Sequence, residues 1–140
     1  MTNKFDVSDI EGEGWVYSKT VEDHFFNPRN VMTERYNQED FDVLGEIGSP
    51  ACGDVMKIWI KVRENKIIDL KWKTFGCASA IAATSILSEM AIGKTLEEAK
   101  KLTAQEIIKA LGGLPKRKIH CSILGDQALR LAIEKYQTSR

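Results

Sequence analysis

The chain has 140 residues, of which 43% are hydrophobic, with 20 basic and 20 acidic side chains. This length and apolar content suit one domain with its own hydrophobic core, so disulfides are not needed to stabilise it. No apolar run approaches the roughly 18–20 residues of a membrane span, and the N-terminus lacks a signal-peptide pattern. These features exclude a membrane-spanning function and favour a protein of the reducing cytoplasm.

The charges are unevenly distributed along the chain. Residues 1–46 contain 4 basic and 11 acidic side chains, whereas residues 47–140 contain 16 and 9. Two interpretations are open: an acidic tail on a balanced domain, or a basic face that docks an acidic partner. The basic residues are spread out and no nucleic-acid-binding motif accompanies them, so nucleic acid is not an expected partner.

The N-terminal part of the chain predicts a tail and a short helix. Residues 1–14 are polar and acidic and predict a flexible tail, which leaves residues 15–140 as a single domain. A helix from Trp15 to about His24 should end at Asn27-Pro28, because the residue before a proline avoids helical backbone angles.

Two segments, residues 56–63 and 67–75, alternate with the period of two that is typical of strands. The residues 64–66 between them predict a hairpin connection, and residues 43–47 predict a third strand. The shared faces are Met56, Ile58, Ile60 and Val62 in one strand and Ile68, Leu70, Trp72 and Thr74 in the other.

After Gly76 the apolar period becomes helical. The sequence predicts a helix from Ala78 that Gly93 closes, short helices after a capping box at residues 95–98 and over residues 103–111, and a final helix from about His120 to Tyr136. Since strands precede helices, we predict an α+β fold: a small antiparallel three-stranded sheet with helices on one face and a site at one end.

The three cysteines lie at the predicted junctions between elements, with a carboxylate or an imidazole beside two of them. Cys52 and Asp54 lie in a loop before a strand, Cys77 precedes a helix, and His120-Cys121 begins the last helix. Backbone N–H groups at a helix start favour the thiolate. Three thiolates with either Asp54 or His120 complete four ligands, which suits zinc or a [2Fe–2S] cluster. The alternative is that the thiols are small buried apolar side chains.

These residues offer five candidates for four ligand positions, which is compatible with ligand exchange during loading and release. A carboxylate matches iron–sulfide less well than a thiolate does. A cluster held partly by Asp54 should therefore be easier to release.

At these residues the chain resembles the U-type iron–sulfur cluster assembly scaffolds, that is, IscU and the N-terminal domain of NifU. The resemblance runs from Tyr17 to Tyr136, and three separated cysteine motifs in the right order make it specific. The matching segments are Tyr17-Ser18, Asp23-His24, Asn27-Pro28-Arg29-Asn30-Val31, and residues 48–57, 75–82 and 118–122.

The resemblance implies a scaffold rather than an enzyme, on which a cluster, usually [2Fe–2S], is built from iron and sulfur and passed to acceptor apo-proteins. It implies that Cys52, Cys77, Cys121 and either Asp54 or His120 bind the cluster, or zinc in the cluster-free form. Cys121 would also accept persulfide sulfur from a cysteine desulfurase. An electron donor such as ferredoxin is a further expected partner, and a homo-dimer is left open.

The segment before the third cysteine departs from the family. The family often carries Leu-Pro-Pro-Val-Lys there for a dedicated DnaK-type chaperone, whereas this chain has Leu114-Pro115-Lys116-Arg117-Lys118. Lys116 and Arg117 replace the second proline and the valine of the family segment, which makes such a chaperone partner doubtful. Lys118 could support the thiolate of Cys121, with a solvated surface lysine as the alternative.

Other interpretations concern zinc and the remaining aromatic and imidazole groups. A zinc-dependent sulfurtransferase of the SufU type is the alternative function, but the span from Cys77 to Cys121 lacks the insertion of that branch and His120 is present. A structural zinc protein is a third option. His24 could be counted as a sixth ligand, but we expect it to pack or cap in the first helix. Trp59 and Trp72 are expected to be sheet residues.

Overall fold

The structure is a computed structural model that describes residues 18–49, 54–113 and 119–139. The predicted tail, Cys52 and Lys118 lie outside these ranges, and the side chains of Asp54, His120 and Cys121 lie outside what is described. Within the described ranges, no helix is both long enough and apolar enough to cross a membrane.

The first described helix is α1 (Lys19–Phe26), which ends two residues later than predicted. It begins at Ser18, whose hydroxyl oxygen accepts a hydrogen bond from the backbone N–H of Val21 at 3.1 Å. Asn27 ends the helix, as expected of a residue before proline. The Ser18 hydroxyl also donates to the carbonyl of Leu111, which ties the start of α1 to the helical half of the domain.

Three antiparallel strands follow in the order β1-β2-β3, with the bounds β1 (Val43–Ser49), β2 (Asp54–Arg63) and β3 (Lys66–Phe75). All three predicted strands are confirmed. Glu64 and Asn65 join β2 to β3 with φ angles of 53° and 64°. Two left-handed residues in succession form the tight turn whose twist matches that of a hairpin.

The strand face predicted for Ile68, shared with Leu70 and Trp72, is wrong because β3 contains a bulge. Lys61 pairs with Asp69 but the next residue, Val62, pairs with Ile67, so β3 has one extra residue at this point. An extra residue shifts the alternation of side chains by one position. Ile67 is therefore fully buried, whereas 48% of Ile68 is exposed.

The helices α2 (Ala78–Ala91), α3 (Leu96–Lys100), α4 (Ala104–Ala110) and α5 (Ile119–Thr138) complete the α+β fold. Thr95 and Glu98 form the predicted capping box of α3, and Gly112 ends α4 with a φ of 84°. One face of the sheet packs on α2 and α5 in a single core. Its fully buried members include Met56, Ile58, Ile60, Leu70, Ala83, Leu87, Leu129 and Ile133.

The opposite face of the sheet, called the open face below, is partly covered by the connection between α1 and β1. Met32 N–H donates to the carbonyl of Trp72 at 2.8 Å, so this connection extends the free edge of β3. Further along it, the Tyr36 ring centre lies 4.6 Å from Nζ of Lys71. Trp59 and Lys71 both lie on the open face, yet only 5% and 7% of their surfaces are exposed.

Candidate metal centre

The candidate ligands of β2 and α2 lie at one end of the sheet. β1 ends opposite Asp54, and the next residue, Val55, pairs with Phe75 at the end of β3. Cys77 follows Phe75 by two residues and therefore lies at the same end as Asp54. The β1–β2 connection, which contains Cys52, also leaves and re-enters the sheet at this end.

The last helix, α5, begins at this same end. A Cβ atom built on Gly125 would lie 3.9 Å from Sδ of Met56, close to the start of β2. Further along α5, Nζ of Lys135 donates to the carbonyl of Leu44 at 3.2 Å, close to the start of β1. The helix therefore runs antiparallel to β1, and its first turn, with His120-Cys121, lies on the side of the domain where β2 begins.

Helices α2 and α5 both begin at this end of the domain. Cys77 is the N-cap residue of α2, with extended φ and ψ of −76° and 171°, and its carbonyl accepts from Ile81 N–H at 3.1 Å. Cys121 lies in the first turn of α5. Neither first turn contains an acidic residue that would offset the partial positive charge of the helix start. The predicted helix-start positions of the two cysteines are confirmed.

A buried polar contact around Thr84 joins β2, β3 and α2 close to this end of the sheet. The hydroxyl of Thr84, which is fully buried in α2, donates to the carbonyl of Ala80 at 2.7 Å and accepts from the Thr74 hydroxyl at 3.1 Å. Sδ of Met56 lies 3.7 Å from the same hydroxyl oxygen. Because β2, β3 and α2 all contribute, the starts of β2 and α2 are held in fixed relative positions.

His24 lies in a different part of the molecule, at the interface of α1 and α2. Its Nδ1 is 2.7 Å from the Ser85 hydroxyl, which also accepts from Arg29 N–H at 2.9 Å, and its Nε2 is 3.5 Å from a Glu89 carboxylate oxygen. Burial lowers the pKa of His24 and the nearby Arg29 lowers it further, against the opposing effects of Glu89 and Asp23. The packing role expected of His24 is confirmed.

The polar network around His24 includes residues that the sequence patterns did not indicate. Ser85 and Ser88 are fully buried in α2, and Ser88 accepts from the Asn30 amide at 2.9 Å. The signal that could have revealed this network is a pair of serines three residues apart on an otherwise apolar helix face.

The metal centre itself remains a prediction at the level of side chains. Cys77, which is half-buried, is the only candidate ligand whose side chain is described. Within the described side chains, no group of three or more His, Cys, Asp and Glu residues is arranged to hold a metal ion. The proposed arrangement therefore rests on the backbone positions of Asp54, His120 and Cys121.

Comparison with known proteins decides the family. Residues 16–140 match the family model of the NifU-like N terminal domain. The chain belongs to this family. It is 55% identical over 121 residues to the iron-sulfur cluster assembly scaffold protein IscU 1 of Archaeoglobus fulgidus, which covers 86% of this chain and 76% of that protein.

Other NifU-like relatives agree in sequence and in fold. The IscU scaffold protein of Rickettsia prowazekii is 47% identical over 125 residues, covering 89% of this chain and 94% of that protein. The crystal structure of a nitrogen-fixing NifU-like protein (N-terminal) from Brucella abortus superposes with a TM-score of 0.67, covering 96% of this chain and 99% of that chain. At 17% identity this second likeness supports the fold alone.

The family assignment confirms the predicted resemblance to the cluster assembly scaffolds. The relatives are named as scaffold proteins rather than as enzymes, which supports the scaffold function over the zinc-dependent sulfurtransferase. Membership of this family also implies binding of an iron–sulfur cluster.

Proposed function

We propose that this protein is a scaffold on which an iron–sulfur cluster is assembled and from which it passes to acceptor apo-proteins. The observation that carries the proposal is the meeting of three element starts at one end of the domain. Asp54 begins β2, Cys77 caps α2, and Cys121 lies in the first turn of α5. Membership of the NifU-like family supports the same function.

The proposed ligands of the cluster are Cys52, Cys77 and Cys121, with Asp54 or His120 as the fourth. A [2Fe–2S] cluster takes two protein ligands on each iron, so four ligands match it. The same four groups suit tetrahedral zinc in the cluster-free protein. The cluster is cargo, and a carboxylate at one position would give a weaker bond to iron that favours its release.

Cys121 is also the proposed sulfur acceptor. Its thiolate would attack the outer sulfur of a persulfide on a cysteine desulfurase, so that a new S–S bond forms and the desulfurase thiolate leaves. The helix start favours the attacking thiolate, and Lys118 would add a nearby positive charge. Reduction of that sulfur to sulfide takes two electrons, which an electron donor such as ferredoxin would supply.

Anaerobic reconstitution with iron and sulfide tests the proposed function. A scaffold should contain iron and acid-labile sulfide in equal amounts and show visible charge-transfer bands. Stoichiometric zinc in a protein that takes up no cluster would contradict the scaffold proposal. Cys121→Ser should abolish sulfur acceptance while circular dichroism shows an intact fold; loss of metal together with unfolding would indicate structural zinc instead.

The role of Asp54 can be tested separately. Asp54→Ala should slow cluster transfer to an acceptor, because the weak ligand that favours release has been removed. Asp40→Ala is the control, since this exposed aspartate lies in the connection before β1, away from the candidate ligands. An unchanged transfer rate in Asp54→Ala would reject its proposed role.

A further inference from the structure

The open face of the sheet carries a pair of like charges near the end where the candidate ligands lie. Lys57 of β2 and Lys73 of β3 are partners in register, and Glu46 of β1 is the partner of Lys57 on its other side. Like charges directly opposite each other destabilise a sheet. The fold therefore bears a small cost at these two positions.

Glu46 lies opposite Lys57 in register, but no carboxylate in the described part of the chain forms an ion pair with either lysine. The ion pairs formed there involve neither Lys57 nor Lys73. By contrast, Lys71 on the same face lies 3.0 Å from a carboxylate oxygen of Asp69. Lys73 is exposed and Lys57 is half-buried, so both charges remain accessible to a partner.

A large apolar side chain adjoins this pair of lysines. Phe75 is the next open-face residue of β3 after Lys73, and it pairs in register with the half-buried Val55. Its surface is 53% exposed, although it lies only two residues before Cys77. An exposed aromatic ring beside accessible cations has the composition of a protein interface, with an apolar anchor and a charged rim.

We propose that this patch, defined as Val55, Lys57, Lys73 and Phe75, docks an acidic acceptor apo-protein. The acceptor would cover Phe75 with an apolar side chain and place carboxylates against the two lysines. This inference rests on the proposed function, since an acceptor must approach the end of the sheet that holds the candidate ligands. Charge complementarity of this kind speeds association and selects the partner's orientation.

Binding of an acidic apo-ferredoxin to the whole 140-residue chain without a cluster tests the docking. The Kd should rise as ionic strength is raised, because salt screens exposed charges. Lys57→Glu combined with Lys73→Glu should weaken binding by about tenfold or more, and added salt should no longer raise the Kd. Lys66→Glu combined with Lys101→Glu changes the net charge equally at the other end and should leave the Kd unchanged.

Phe75→Ala tests the apolar part of the patch. The dissociation rate should increase with little change in the association rate, whereas the lysine variants should lower the association rate. Equal weakening in the Lys66 and Lys101 control, or wild-type binding without salt dependence, would overturn the proposal. So would undetectable binding of apo-ferredoxin to the wild-type protein.

The acidic N-terminal residues of this chain are the competing occupant of the patch. Changing Asp6 and Asp9 to Asn and Glu11 and Glu13 to Gln should leave the ferredoxin Kd unchanged. Tighter binding by about tenfold would assign the patch to the chain's own segment and overturn the proposal. Cluster reconstitution on the Lys57→Glu, Lys73→Glu protein should match the wild type. A wild-type protein that binds apo-ferredoxin as expected but assembles no cluster would count against the proposed function alone.

Discussion

Gly45 is the residue on which the docking of α5 against β1 depends. A Cβ atom built on it would lie 2.8 Å from the backbone nitrogen of Ala132 and 2.9 Å from its Cβ, and closer still to the carbonyl oxygen of Ala128. Two of these three atoms belong to the helix backbone, so no rotamer change can relieve the contact. Gly45→Ala should therefore push α5 away from the sheet.

The expected cost follows from the nature of this contact. Overpacking a core typically costs about 1–3 kcal/mol, and a clash with backbone atoms lies at the upper end, so we expect about 3 kcal/mol. For a chain of this size that loss corresponds to a decrease in Tm of about 10 °C. Because α5 also carries Cys121, the displaced helix should reduce cluster assembly in whatever protein remains folded.

Thermal and urea unfolding followed by circular dichroism measure this cost, and Gly125→Ala is the matched control. A Cβ on Gly125 would lie 3.4 Å from Cδ2 of Leu87 and farther from Met56 and Thr84, which are ordinary contacts. Replacing a helical glycine by alanine favours the helix by about 1 kcal/mol, so this variant should be equally or more stable. A Gly45→Ala protein as stable as wild type would refute the packing of α5 described above.

Three further predictions concern local features. Burial holds the pKa of His24 below its ordinary value of 6.5, so the unfolded chain binds a proton at His24 more readily than the folded protein does. The free energy of unfolding should therefore fall as the pH drops through 6.5. Denaturation at several pH values should show a smaller fall in the His24→Gln variant. Thr95→Ala should lower the free energy of unfolding by about 1 kcal/mol through loss of the helix cap. The same change should raise the pKa of Glu98 part of the way to its ordinary value in an NMR titration. The backbone N–H of residue 95 still donates to the carboxylate, and only the hydrogen bond of the Thr95 hydroxyl is lost. Glu64→Asn should raise the urea midpoint slightly, since asparagine tolerates the left-handed φ of 53° better than glutamate does.

Local patterns were sufficient for the order and type of the described elements. The alternation in residues 56–63 reflects a strand with one buried face, and the capping box at Thr95 reflects hydrogen bonds within four residues. Such signals depend on near neighbours in the chain, so the sequence contains them in full. The bulge at Ile68 could not be predicted from local sequence, because it depends on how β3 aligns with β2.

The candidate site shows the same division between local and distant information. The residue types, the order of the three motifs and the family were all readable from the chain, because ligand chemistry and motif spacing are properties of the sequence. That Asp54 and Cys77 lie at the same end of the sheet could not be read from the chain, since it follows from strand register. The direction of α5, which decides where Cys121 lies, follows from packing at Gly45 and Gly125.

The sequence by itself determined which residues are candidate ligands, namely three cysteines with an aspartate and a histidine beside two of them, and it showed an excess of basic residues after residue 46. Only the tertiary structure decided which of the basic residues in its described part form ion pairs and which do not. Lys71 is held by Asp69, whereas Lys57 and Lys73 face each other beside the exposed Phe75. The physical reason is that charge pairing across a sheet depends on register and on covering segments, and neither is a property of any one stretch of chain.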